Sequence, residues 1–193
     1  MLAILLNISC EKKEPLKPLD ADAKSLVESY NKSAVSLYKE LSKGEGNIVF
    51  SPYSICTAMS MVRSAAQGET EKEMTTALHL TQPASQADVS NSVLYSNVNR
   101  FNKEDIILKT ANGIFIPENY DRVLDSYKKT LADHYSAELF KGSDVKPVNV
   151  WVNEKTNGNI PTILKALPAD LICLLLNAVY FKGMWELEFD KDI

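Results

Sequence analysis

The stretch that decides the fold is Leu171-Ile-Cys-Leu-Leu-Leu-Asn-Ala-Val-Tyr-Phe181, an apolar run with one strongly polar member, Asn177. Pro168 and Gly183 bound the run on its two sides. An apolar run of this length between such breakers is typical of a central β-strand covered on both faces. We therefore predict a buried strand here, with Asn177 inside it.

Upstream of this strand, apolar residues recur at helical spacing in several segments. The sharpest helix start is at Ser51-Pro52, where Ser51 occupies the N-cap position and Pro52 the first helical position. Thr70, with Glu73 three residues later, predicts a capping box at a further helix. The predicted helices are Asp20–Lys43, one beginning at Pro52, one at Thr70, Asp88–Phe101, Asp121–Asp133 and Val148 to about Leu164.

Short apolar runs predict the remaining strands. Ile106–Leu108 and Ile114–Ile116 flank Asn112-Gly113, and Asn-Gly between such runs is a strong local signal for a β-hairpin. Two further short strands are predicted at Asn47–Phe50 and Ala137–Phe140. Because helices and strands alternate irregularly, the predicted fold class is α+β.

The composition is that of an ordinary soluble domain. The 193 residues carry 21 Lys and Arg against 25 Asp and Glu, a formal net charge of -4, and 45% of them are hydrophobic. This length and balance predict one domain, residues 20–193, after a distinct N-terminal segment. The mild acidity argues against a nucleic-acid partner, which needs a basic patch. The three cysteines form no C-x-x-C pair, so neither a disulfide framework nor a zinc site is expected.

No catalytic motif is recognisable in the sequence. Its two histidines, His79 and His134, belong to no H-E-x-x-H motif, and no G-x-S-x-G elbow or glycine-rich phosphate loop occurs. We expect His79, between two leucines, to be a structural residue and His134 to pair with Glu138 at helical spacing. The sequence therefore favours neither an enzyme nor a cofactor-binding protein.

Residues 1–19 differ in character from the rest of the chain. An apolar run ends at Ser9-Cys10 and is followed by a charged, proline-containing stretch. The run is too short to span a bilayer and is similar to the end of a secretory signal. A small residue directly before Cys10 resembles a bacterial lipoprotein cleavage site, although Asn7 departs from that pattern. We expect export, with a lipidated Cys10 as membrane anchor; the alternative is a frayed apolar start of a fragmentary chain.

A series of blocks, spread from about Leu26 to Asp190, forms a pattern more specific than any single motif. The blocks are Asn47-Ile-Val-Phe-Ser-Pro-Tyr-Ser-Ile, Ala58 with Gly68 and Thr70, Thr110-Ala-Asn with Phe115, Val150-Trp-Val-Asn-Glu-Lys-Thr-Asn-Gly-Asn-Ile, Leu176-Asn-Ala-Val-Tyr-Phe-Lys-Gly-Met-Trp, and Phe189-Asp190. In this order they resemble the serpins, a family of serine protease inhibitors. The chain is similar to the N-terminal portion of such a protein.

The resemblance implies a mechanism. A serpin presents an exposed loop as bait to its target serine protease, and the cleaved loop inserts as an extra strand in the main sheet and traps the acyl-enzyme. The sheet must open between two central strands at a region called the shutter, and Ser51, Ser54 and Asn177 match the shutter positions. Trp185 matches the aromatic residue at the breach, where the loop first enters the sheet. The implied partner is thus a serine protease.

Simpler interpretations of the same residues stay open. Ser51 is also explained as a helix cap alone, Ser54 as a solvated helix residue, Asn177 as a strand-ending turn residue and Trp185 as core packing. The resemblance also makes Ile106–Ile116 one long strand, against the local hairpin signal. We follow the resemblance, because tertiary context commonly overrides a local turn signal.

The resemblance ends just beyond the third strand of the family's main sheet. The strand that borders the insertion gap, the reactive loop and much of the second sheet have no counterpart in residues 1–193. We therefore expect a sheet that is incomplete at its C-terminal side and a chain that is inactive alone. Protease specificity resides in the missing loop, so these residues do not define the target.

Two further expectations concern partners. The helix predicted at Asp88–Phe101 offers little positive charge beyond Arg100 and the nearby Lys103, so no heparin site is expected. The alternative to an inhibitor is a non-inhibitory serpin that acts as a carrier or chaperone. Small residues in the hinge of the reactive loop would indicate the inhibitor, and bulky or charged ones the carrier.

Overall fold

The computed structural model of the chain describes residues 18–100, 106–185 and 187. Cys10, Phe101, Lys103 and the pair Phe189-Asp190, which carry some of the expectations above, lie outside these residues. Within the described residues the elements are α1 (Ala21–Leu41), α2 (Pro52–Arg63), α3 (Gly68–Ala77), α4 (Ala84–Val98), β1 (Ile106–Pro117), α5 (Asp125–Tyr135), β2 (Glu138–Gly142), α6 (Lys146–Lys155) and β3 (Leu174–Gly183).

The strands form one mixed sheet in the order β2-β1-β3. β1 runs parallel to β2, with Gly113 opposite Glu138. It runs antiparallel to β3 along a longer ladder, from Ile106 opposite Gly183 to Phe115 opposite Leu174. β1 is therefore the central strand of the described sheet.

Alternate residues of β1 face opposite layers, as in any strand. Ile114 and Ile116 are buried in a cluster with Met61 of α2 and Leu131 of α5. Phe115, between them, is buried in a separate cluster with apolar side chains of α6 and β3. The sheet is thus covered by α2 and α5 on one face and by α6 on the other, which confirms the predicted α+β class.

A further apolar core holds α1 and α4 against α2. Leu26 and Tyr30 of α1, Cys56 of α2 and Leu94 of α4 are buried in it together. Since α2 packs on the sheet with one side and on these helices with another, its first turn is held in place against the strands.

The hairpin signal at Asn112-Gly113 is wrong, and the single long strand that the resemblance implied is confirmed. β1 is uninterrupted. A two-residue Asn-Gly hairpin needs positive φ at both central residues, and neither residue is among the described ones with positive φ. Asn112 and Gly113 instead pair with Asn177 and Leu176 of β3, and this pairing outweighs the local turn preference.

The strand predicted at Leu171–Phe181 forms with different bounds and surroundings. β3 begins three residues later, at Leu174. Within the described residues β1 is its one neighbour in the sheet, and Phe181 is 67% exposed. The prediction of a central strand covered on both faces is therefore wrong for β3 in this part of the chain. It fits β1, whose residues 112–117 are all buried.

Capping explains where the first helices begin. Asp20 accepts a hydrogen bond from the backbone N of Ala23 at 2.8 Å, and α2 begins at Pro52 as predicted. The capping box at Thr70 is wrong, because α3 already begins at Gly68 and its N-cap, Gln67, makes no side-chain cap bond. Thr70 therefore lies inside the helix.

The later helices are shifted relative to their predicted bounds. α4 begins four residues before Asp88, and α5 begins four residues after Asp121. α6 ends at Lys155 rather than at about Leu164. Asn157 and Gly158, with φ of 54° and 83°, take the left-handed conformation that ends helices.

The predicted pair of His134 with Glu138 is wrong. α5 ends one residue beyond His134, and Ser136 follows in the left-handed region with φ 50°. Helical spacing therefore does not extend to Glu138, which lies in β2. Its carboxylate instead accepts hydrogen bonds from Trp151 Nε1 at 2.8 Å and Lys155 Nζ at 2.5 Å.

Two local predictions have mixed outcomes. His79 has the expected structural contact, its Nε2 lying 3.0 Å from Ser36 Oγ, although the residue is exposed. Residues 47–50 form no strand, and Val49 is 96% exposed. A strand requires a neighbouring strand to bond with, and these four residues pair with none within the described chain.

Candidate functional site

The site begins at the N-terminus of α2. Ser51 is in the extended conformation (φ -108°, ψ 103°), and its Oγ accepts a hydrogen bond from the backbone N of Ser54 at 3.3 Å. Pro52 fits the first helical position, where no backbone N–H is needed. The cap fixes the first turn and with it the place of the Ser54 side chain.

A chain of side-chain hydrogen bonds starts from Ser54. Its Oγ donates to Oδ1 of Asn177 in β3. The Nδ2 of Asn177 donates to Oδ1 of Asn112 in β1 at 2.8 Å. The Nδ2 of Asn112 donates to the backbone carbonyl of Tyr135, at the end of α5, at 2.7 Å. This polar chain, Ser54–Asn177–Asn112–Tyr135, links α2, β3, β1 and α5.

The sheet register brings the two amides together. Asn112 and Asn177 are direct partners in the antiparallel ladder and point to the α2–α5 face. Asn112 is 1% exposed, and a buried amide left without a partner costs about 1–3 kcal/mol. Both amides use their oxygen and their nitrogen in the polar chain, so the burial is compensated.

The predicted site residues are brought together in part. Ser54 and Asn177 are in direct contact, whereas the hydrogen bond of Ser51 is the helix cap, through which it positions Ser54. Trp185 lies two residues beyond the end of β3 with 70% of its surface exposed. Its breach role therefore remains a prediction from the resemblance.

Asn112 was missed by the sequence reasoning. Its Asn-Gly context indicated a turn, which hid a buried polar residue within a strand. The signal that could have found it is register: once Ile106–Ile116 is one strand antiparallel to the strand with Asn177, two asparagines can meet across the ladder. Asn112 is the residue through which the polar chain passes from β3 to β1 and on to α5.

A second buried polar network lies behind the polar chain. Tyr135 donates its hydroxyl to Asp88 Oδ1 at 2.7 Å, and Tyr30 donates to Asn91 Oδ1 at 2.8 Å. Burial raises the pKa of the Tyr30 and Tyr135 hydroxyls far above the ordinary value, so both stay protonated and donate. The network ties α1, α4 and α5 together and thereby fixes the carbonyl that receives the Asn112 bond.

The chemistry of the site is structural rather than catalytic. Hydroxyl and carboxamide groups carry no charge near neutral pH, so the polar chain offers donors and acceptors but no general acid or base. Over the residues that the structure describes, no group of three or more His, Cys, Asp or Glu side chains could hold a metal ion. No helix in that same part of the chain is both long and apolar enough to cross a membrane.

Comparison with known proteins decides the family. The family model described as "Serpin (serine protease inhibitor)" matches residues 28–193. The chain belongs to the serpin family. The family description names an inhibitor of proteases and not an enzyme, in agreement with the expectation that this chain is no enzyme.

Curated serpins from distant organisms are similar to the chain. Alpha-1-antitrypsin 1-5 of Mus musculus is 34% identical over 171 residues, which cover 82% of this chain and 41% of that protein. Serpin B6 of Bos taurus is 32% identical over 180 residues, which cover 87% of this chain and 47% of that protein. A serpin-like protein of Thermococcus kodakarensis is 30% identical, covering 88% and 41%. The chain therefore spans less than half the length of these relatives.

Solved serpin structures share the fold. A loop C-sheet serpin polymer superposes with a TM-score of 0.81 at 27% identity, covering 93% of this chain and 48% of the other. The thermophilic serpin tengpin in its latent state superposes with a TM-score of 0.77 at 27% identity, and the match covers 92% of this chain and 48% of the other. The predicted serpin-like fold is confirmed, and so is its incompleteness, since the chain corresponds to about half of a serpin.

Proposed function

We propose that this chain is the N-terminal portion of a serpin that inhibits a serine protease by loop insertion, and that Ser51, Ser54 and Asn177 form its shutter, extended by Asn112. The observation that carries the proposal is the polar chain, which joins α2 to both strands of the β1–β3 pair. Family membership supplies the mechanism, in which a cleaved loop becomes an extra strand of the main sheet.

The geometry supports a shutter role in a specific way. β3 is bonded to β1 along one side in the described sheet, and Asn177 ties the middle of β3 to the first turn of α2. In this proposal an inserting strand shifts β3 relative to α2, so the Ser54–Asn177 bond must break or move. Hydrogen bonds suit this role because their net contribution is only about 0.5–1.5 kcal/mol each.

Residues 1–193 alone should inhibit no protease. The proposed mechanism needs a scissile bond in the bait loop and a second strand to border the gap, and the family places both beyond the matched half. The test is to express residues 11–193 and incubate them with trypsin, chymotrypsin and elastase. We expect self-association through the β3 edge and no covalent complex; a soluble monomer that forms a detergent-resistant complex would contradict the proposal.

The full-length protein separates an inhibitor from a carrier. An inhibitor should form a detergent-resistant complex with a serine protease and gain thermal stability when its loop is cut. A carrier or chaperone of the same fold should be cut in the loop without trapping the protease. The second outcome would reject inhibition and retain the serpin fold.

We also propose that residues 1–19 direct export and that Cys10 is the lipidated anchor. The support is the apolar run that ends at Ser9-Cys10 and the charged tether after it. Fractionation and the mass of the mature N-terminus test this, with Cys10→Ser as the control that keeps the apolar run. A lipid-modified N-terminus at Cys10 is expected; a cytosolic product that still begins with Met1 would contradict both export and lipidation.

A further inference from the structure

A cleft of about 370 Å³ lies apart from the polar chain, between the C-terminal end of α2, the first turns of α5 and the two residues before β3. Its walls include Ser64, Arg122, Leu124, Tyr127 and Cys173, and none of the polar-chain side chains. Small-molecule sites in proteins typically have volumes of about 300–1,000 Å³. The cleft is therefore large enough for a small ligand.

The mouth of the cleft is apolar. Leu124 is 70% exposed and Ile172 is 55% exposed, and both line the same opening. Val123 and the half-buried Cys173 continue the apolar wall inward. Single exposed apolar side chains are ordinary, but two large ones at one opening provide a surface that an apolar chain would remove from water.

The charge at the cleft is positive. Arg122 lines it and makes no ion pair with any described residue, whereas the acidic residues of α5 are already matched: Asp125 by Lys128 at 2.8 Å and Asp133 by Lys129 at 2.7 Å. Leu124, the N-cap of α5, supplies no side-chain acceptor to the first turn. The positive end of the helix therefore adds to the guanidinium beside it.

Two of the other polar side chains of the wall bond away from the cleft. Ser64 donates to Asp88 Oδ1 at 2.5 Å, and Tyr127 donates to the carbonyl of Met61 at 2.8 Å. Thr130 donates to the Ser126 carbonyl at 3.1 Å, and Gln67 and Ser126 also line the wall. A ligand in the cleft would thus find one cation without an ion pair to any described residue, Arg122, the uncharged side chains of Gln67 and Ser126, and otherwise mainly apolar surface. This combination selects for a molecule with one anionic group and an apolar body.

We propose that this cleft binds an amphipathic carboxylate, with its carboxylate on Arg122 and its hydrocarbon body against Leu124 and Ile172. A guanidinium presents paired N–H donors that match a carboxylate. Such a ligand would bridge α2, α5 and the start of β3. It would occupy a site independent of protease recognition.

Cys173 provides a direct readout, because it lines the cleft while Cys56 is buried in a different cluster. The full-length protein is alkylated with iodoacetamide with and without octanoate, and modification at each cysteine is followed by peptide mass. At octanoate concentrations about ten times Kd, the free fraction and hence the alkylation rate of Cys173 should fall about tenfold. The rate at Cys56 should not change.

Variants and ligand analogues decide which contacts matter. Arg122→Gln and Leu124→Asp should each abolish the protection, while Lys165→Gln, which removes an exposed cation outside the cleft, should leave it intact. Both cleft side chains are exposed, and circular dichroism verifies that the variants fold. Octylamine should give no protection, and 1-octanol much less than octanoate.

The contradicting results are equally definite. Unchanged alkylation of Cys173 in octanoate would reject the site. Equal protection by octanol, or protection that survives Arg122→Gln, would indicate an apolar cleft without carboxylate selection and would overturn the proposal. Both experiments are independent of protease inhibition, so their failure leaves the proposed function untouched.

Discussion

The two faces of the β1–β3 pair are held by different kinds of contact. On the α2–α5 face, Ser54, Asn177 and Asn112 form a chain of directional hydrogen bonds. On the α6 face, the rings of Phe140 and Trp151 stack with centroids 6.0 Å apart at 19°. A hydrogen bond can exchange its partner in one step, whereas close-packed apolar surfaces lose all their contacts when they separate. We infer that the α6 face anchors the sheet and the polar face is where β3 can be released.

The α6 face also has a polar edge. Trp151 donates its Nε1 to Glu138, and Lys155 binds the other oxygen of the same carboxylate. The Lys155 ammonium lies 5.8 Å from the Trp151 ring. These contacts orient Trp151 over Gly113, where a Cβ would meet the indole at 3.1 Å. The close approach explains why a side chain is absent at that point of β1.

The largest expected effect comes from breaking the α6 face. Trp151→Ala removes a side chain that is 6% exposed, together with its bond to Glu138. It should lower the free energy of unfolding of the full-length protein by about 3–5 kcal/mol, the usual cost of a large aromatic truncation in a core. Denaturant unfolding measures this change. Tyr38→Ala, at an exposed aromatic residue of α1, is the control and should change the value by under about 0.5 kcal/mol.

A smaller effect is expected from breaking the polar face. Asn177→Ala leaves the Asn112 oxygen and the Ser54 hydroxyl without their partner. The free energy of unfolding should fall by about 1–3 kcal/mol, as measured by the shift in the denaturant midpoint at constant slope. The control is Asn31→Ala, an exposed amide on α1. An unchanged midpoint for Asn177→Ala would mean that this amide is solvated and would reject the shutter assignment.

The smallest effect tests how closely the α6 face is packed. In Gly113→Ala the new methyl group would lie 3.1 Å from Trp151 and 3.2 Å from Phe140. Overpacking costs about 1–3 kcal/mol, and the loss of chain entropy in the unfolded state returns about 0.4–1 kcal/mol. A net loss of about 1 kcal/mol is therefore expected in thermal or denaturant unfolding. Gly44→Ala, with Leu41 O at 3.5 Å, should be near neutral; equal effects at the two glycines would contradict close packing.

The same contrast explains what the sequence could predict. Ser51-Pro52 is a local signal, since a cap and a first-turn proline depend on neighbouring residues, and it placed α2 correctly. Ser54 and Asn177 were found because the family resemblance carried long-range information that periodicity lacks. Asn112 and Gly113 were wrongly interpreted as a turn. Their extended conformation is decided by pairing with β3, and the local sequence pattern carries no information about that pairing.

Contacts between distant elements were the hardest to predict. Glu138 was assigned to a helical pair with His134, yet it bonds to Trp151 and Lys155 of α6. The error arose because α5 ends at Ser136, which takes the left-handed conformation. Glycine usually occupies such a position, so the serine gave no sequence signal for the end of the helix. Within the described residues, the burial predicted for the strand at Leu171–Phe181 is found in β1, which lies between β2 and β3.

The central claim is that Ser54 and Asn177 act as one bonded unit between α2 and β3. A double-mutant cycle with Ser54→Ala, Asn177→Ala and the combined variant measures it most directly, from the free energies of unfolding of the full-length protein. The account predicts that the double variant loses less than the sum of the single losses, with a coupling energy of about 1 kcal/mol or more. Single losses that add within about 0.3–0.5 kcal/mol would contradict it.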